Sequence, residues 1–142
     1  MPRIKELFLL DIVVAISKIN ETIKSFTCGD DLKHNYMAWD SVVREFEIIG
    51  EATKYLLRDQ LLEKNYQEVV DFRNQIIHAY FGIDQDIVWE IINNDLKHFE
   101  QIIKSLILNI EPNLKQELIE SFIEDNHYLD FIIEALRELN HA

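Results

Sequence analysis

The chain has 142 residues, 48% of them hydrophobic and 28% charged, with a formal net charge of −12. That suits one domain with a buried core, and the charge argues against a protein that holds nucleic acid by bulk electrostatics, so any such chemistry must rest on a small local site. Three glycines and two prolines are too few for a fold of strands and turns, and the single cysteine, Cys28, excludes an intrachain disulfide and a thiolate metal cluster and fits a reduced, cytoplasmic setting.

The N-terminus opens with two basic residues and an apolar stretch. Glu6 and Asp11 interrupt that stretch and no small-residue cleavage site follows, so it does not read as a signal peptide. No apolar run approaches the ~18 residues needed to span a bilayer, so no membrane partner is expected. Residues 3–26 instead read as a long amphipathic helix. Phe8, Ile12, Ala15, Ile19, Ile23 and Phe26 recur at steps of three and four, widened by Leu7, Leu10 and Val14. The segment TCGDD, residues 27–31, reads as a loop.

A second helix is expected over about 35–58, burying Trp39, Val42, Val43, Phe46, Ile49 and Leu56. Gly50 falls inside it, where glycine costs ~1 kcal/mol relative to alanine. Glycine at such a place often lets another helix approach closely. A third helix is expected from about 66 to 81, ended by Gly82 in the manner of a C-terminal cap. Asp84 can cap a fourth helix, about 85–108, which buries Ile87, Ile91, Leu96, Phe99, Ile102, Ile103 and Leu106. Pro112 breaks the chain. Two short helices follow, near 113–124 and 128–140, striped by Leu114, Leu118 and Phe122 and by Leu129, Ile132, Ile133, Leu136 and Leu139. The expected fold class is all-α: an up-and-down helical bundle with a four-helix core over residues 1–110, and a C-terminal helical hairpin over 111–142 packed on the same domain. That extension holds two basic residues against eight acidic ones, so the negative charge is densest there.

The third helix carries RNQIIHAY, residues 73–80. At 100° per residue, Arg73 and Tyr80 share a face, and Asn74 and His78 stack on the adjoining one. RNA cleavage can use the neighbouring 2′-hydroxyl as nucleophile. It then needs a base, an acid and a cation for the crowded phosphoryl group. Histidine titrates near neutral pH and suits the proton transfers. The planar, permanently charged fork of arginine suits the phosphate. This chemistry needs no metal and no cofactor. Arg73 and His78 are about 140° apart round the helix, so one copy looks thin, and two copies across a two-fold dimer would put two arginines and two histidines in one cleft. The plain alternative is a structural or surface histidine beside a solvated arginine, and spacing alone leaves both readings open.

The stretch FRNQIIHAYFGIDQDIVWEIINNDL, residues 72–96, resembles the signature of HepT-like proteins of the HEPN superfamily, whose hallmark is Arg, a polar residue, then His after four intervening residues, followed by x-Tyr. Here Arg73, Asn74, His78 and Tyr80 fill it. VVREFEIIGEATKYL, residues 42–56, and IVWEIINNDL, residues 87–96, are also similar to that family, and the likeness spans roughly 3–108. The resemblance implies a HEPN-like bundle forming a homodimer, with a metal-independent ribonuclease site at its interface and RNA as substrate. Arg73 and His78 would be catalytic and Asn74 supporting. Tyr80 would be the target of a cognate minimal nucleotidyltransferase antitoxin that attaches AMP to it, in a toxin–antitoxin system of type II/VII-like organisation. The alternative from a different class is a catalytically silent helical dimer that docks a nucleotidyltransferase or senses nucleotides.

Other signals weigh less. Glu124 and His127 make the one Glu-x-x-His, where di-iron bundles need two plus further glutamates. Cys28 lacks a thiolate-activating context, and Gly50 belongs to a helix rather than a phosphate loop. Trp39 and Trp89 read as core. Glu51 can reach the cleft, but a surface or packing role is the simpler expectation.

Overall fold

A computed structural model describes residues 4–78 and 82–140, with His78 described in its backbone alone. Among the described residues the fold is all-α, with eight α-helices and one short 3₁₀ turn and no strand. The helices are α1 (Lys5–Ile23), α2 (Gly29–His34), α3 (Tyr36–Arg58), α4 (Gln67–His78), α5 (Gln85–Asn93), α6 (Asp95–Leu108), α7 (Pro112–Asp125) and α8 (Asp130–Glu138).

Helix α1 is the centre of the molecule. It packs on α3, α6, α7 and α8. Leu9, Leu10, Ile12, Val13, Ala15, Ile16 and Ile19 are all buried, an arc of about 220° at 100° per residue and wider than the stripe expected. Asp11, Lys18 and Glu21 occupy the remaining side, and the acidic extension covers part of the apolar arc. Ile119 and Phe122 of α7 and Ile132 and Leu136 of α8 join the same apolar cluster.

Two expectations need correction. The segment 27–31 is not all loop, because α2 begins at Gly29. Asp30 and Asp31 in its first turn suit the positive end of a helix, and Leu32 is fully buried. Gly29 is required by contact: a side chain there would run into the backbone carbonyl of Gln85 and crowd Trp89. The expected helix over 85–108 is two helices that break at Asn94, whose φ is −124° and ψ −73°. The side-chain amides of Asn93 and Asn94 donate to the carbonyls of Trp89 and Glu90, and such local bonds compete with helix continuation. The break also shifts the buried face. Val88 and Ile92 are buried, whereas Ile87 is 55% exposed.

The caps follow the sequence closely. Asn35 accepts from Ala38 N–H at the start of α3, and Asp84 accepts from Asp86 and Ile87 N–H at the start of α5. Glu111 does the same for α7, with Pro112 in the first turn. Helix α3 ends with Gln60 in the left-handed region, φ 62°. Leu61 N–H donates to Leu56 O and Gln60 N–H to Leu57 O, which is the Schellman pattern. No described helix is long and apolar enough to cross a membrane.

Candidate active site on α3 and α4

The motif helix α4 lies against α3. Phe72 meets Phe46 edge-on, ring centres 5.2 Å apart, and Ile76 is buried. One residue on from Phe72, Arg73 passes directly over Gly50. A side chain at Gly50 would collide with the Cβ and Cγ of Arg73, so glycine mid-helix is what lets α4 come this close. The close approach expected at Gly50 is therefore present, and its partner is the arginine of the motif.

Arg73 is held from two directions. Its Nη2 lies 3.0 Å from Glu51 Oε2, and its Nη1 donates to Asn74 Oδ1 at 3.1 Å. Glu51 carries a second cation, with Lys54 Nζ 3.7 Å from its other oxygen. Arg73 Nε and Glu51 Oε2 are shut off from solvent and make no hydrogen bond, so the short Arg73–Glu51 contact is one of charge rather than a directed bond. A half-exposed ion pair contributes about 0–1 kcal/mol, so what the pairing does for Arg73 is to hold its position rather than to stabilise the fold.

Of the four expected site residues, Arg73 and Asn74 are brought together and joined by a hydrogen bond. His78 is the last described residue of α4, and its side chain lies outside the described structure. Tyr80 lies outside the described residues, as do residues 79 and 81 at the expected end of this helix. Glu51 is the residue that sequence reasoning undervalued: it is no mere surface acid but the counter-charge of Arg73. The signal was its place next to Gly50, since whatever helix crosses at the glycine must meet its neighbours. A cleft of ≈ 380 Å³ opens between α3, α4 and α6, walled by Phe46, Val69, Phe72, Leu96 and Phe99.

Comparison with known proteins gives the family of the chain. A family model described as ribonuclease HepT-like matches residues 12–106, the span from α1 to α6. A candidate RNase of Methanocaldococcus jannaschii is 35% identical over 92 residues, covering 63% of this chain and 84% of its own. A probable ribonuclease HepT of Thermococcus cleftensis is 33% identical over 99 residues, covering 68% of this chain and 89% of its own. No solved structure matches the chain. The helices α7 and α8 fall beyond the matched span.

Proposed function

The chain belongs to the ribonuclease HepT-like family, and from that premise we propose that it is an endoribonuclease toxin that cuts RNA without a metal ion and is silenced by a partner nucleotidyltransferase. The observation that carries the reading is Arg73, fixed on α4 between Glu51 and Asn74 beside a glycine that exists to admit it. A guanidinium so held is pre-organised for a phosphate.

In the proposed reaction the 2′-hydroxyl attacks the adjacent phosphorus and the P–O5′ bond breaks. His78 takes the hydroxyl proton or delivers one to the departing 5′-oxygen. Arg73 neutralises the charge that gathers on the phosphoryl oxygens. Two copies of the chain, facing across a two-fold axis, supply one histidine for each proton transfer. Tyr80, two residues beyond His78, receives AMP from a minimal nucleotidyltransferase, and the added phosphate then occupies the position the RNA phosphate needs beside Arg73.

A single 2′-deoxy substitution tests the chemistry. Placed 5′ to the cut in an RNA oligonucleotide, it removes the nucleophile and abolishes cleavage at that position alone. Cleavage that continues there would exclude the 2′-hydroxyl mechanism. The net charge of −12 favours the other reading, a silent docking module; such a protein would cut neither substrate.

A further inference from the structure

The acidic protein carries a short run of positive charge that starts at Arg73 and continues along α3. Glu51, Lys54, Tyr55 and Arg58 are spaced three, four and seven apart, so they share one helix face. The contacts along it are continuous. Arg73 meets Glu51, and Glu51 meets Lys54. Lys54 Nζ lies 5.4 Å from the centre of the Tyr55 ring, and the Arg58 guanidinium carbon lies 4.7 Å from it. The ring itself is stacked on Phe8 of α1, centres 4.8 Å apart and planes 15° from parallel. Tyr55 is thus an anchored platform that braces two cations while their side chains stay 52% and 68% exposed.

Such a row is often no more than a solvated helix face. Two features distinguish this one. The neighbouring acids neutralise it only in part, because Glu51 is shared between Arg73 and Lys54, and the Lys54–Glu51 and Arg58–Asp59 approaches are long, 3.7 and 3.9 Å. Locally, three cations face two carboxylates in a chain that is otherwise strongly negative. The cations are also aligned: Lys54 and Arg58 are separated by about 6 Å along the helix axis, a step on the scale of successive phosphates in a single strand.

We propose that Lys54 and Arg58 form a track for the RNA backbone, binding phosphates that flank the one at Arg73 and so setting where along the strand the cut falls. This rests on the ribonuclease reading above. It places the strand along α3 toward Arg58, and it accounts for how a protein of this charge holds RNA at all.

The test pairs binding with turnover. Binding of a fluorescent single-stranded RNA is measured over a salt series for the full-length His78→Ala protein, with and without Lys54→Ala and Arg58→Ala, and with Arg137→Ala on α8 as a charge-matched control. Each lost phosphate contact lowers the slope of log affinity against log salt by about 0.7 for a single strand, so the double variant loses about twice that and the control loses nothing. In the cleaving protein Arg58→Ala, which touches neither Glu51 nor Arg73, raises KM and leaves kcat unchanged. An unchanged slope, or a change matched by Arg137→Ala, would overturn the track, as would a fall in kcat without a rise in KM. A slope change together with no cleavage by the parent protein would sink the ribonuclease reading and leave RNA binding along the track standing. Absence of RNA binding would remove both.

Discussion

Glu51 places one carboxylate between two cations, Arg73 on α4 and Lys54 on its own helix. A negative group beside a phosphate site works against substrate binding, so its value must lie in orientation: it fixes the guanidinium before RNA arrives. Glu51→Gln keeps the shape and removes the charge. It is expected to lower kcat by on the order of tenfold to a hundredfold, the scale of a small misplacement of a reacting group, while KM holds or falls because repulsion of the phosphate is gone. Steady-state cleavage kinetics with thermal unfolding alongside would check this. A normal kcat, or a loss of kcat that tracks a loss of folded protein, would refute it. Arg73, Asn74 and the close approach at Gly50 were all legible in the sequence, because a motif and a mid-helix glycine are local signals. The partner of Arg73 was not. Which residue meets it depends on how α4 crosses α3, and no periodicity within either helix encodes that crossing.

At the scale of elements, the helices that carry strong apolar stripes and recognisable caps came out of the sequence nearly whole, α3 and α7 above all. The errors sit where local side-chain bonds decide. Asn93 and Asn94 stop a helix that the apolar pattern would have carried on, and Leu32 holds a short helix that its glycine and acids disguised. Packing also creates one element-level strain. Glu45 on α3 is only 6% exposed and faces a cleft between α1, α3 and α7. Burial pushes its carboxyl above the ordinary range, opposed by the charges of Lys18 and Arg44. An acid whose pKa is raised by folding binds more protons folded than unfolded, so it penalises the fold increasingly as pH rises from the normal carboxylate range through its own raised value. Glu45→Gln removes that penalty. Its Tm relative to the parent is expected to climb between about pH 4 and pH 7; a difference that stays flat across that range, or shrinks, would count against the buried charge.

For the whole molecule, the extension changes meaning once the buried arc of α1 is seen to be wider than one stripe. Helices α7 and α8 were expected as a hairpin packed on the same domain, with no function assigned to it. They pack on α1, while the motif helix lies on α3. The sequence hinted at this, since LFLLDIVVAI is apolar in more directions than one stripe requires, but a stripe was the simpler reading and nothing local names the segment that covers the remainder. The dense negative charge of α7 and α8 is thus anchored to α1, which on the proposed reading leaves the cations of α3 and α4 to meet RNA. Both the proposed reaction and the phosphate track require α4 to carry a ribonuclease site. The most direct test is RNA cleavage by purified protein in EDTA beside His78→Ala, after mass spectrometry shows Tyr80 unmodified. The expected result is cleavage that survives EDTA and vanishes in the variant. Equal cleavage by both proteins, or none by the unmodified parent, would contradict it.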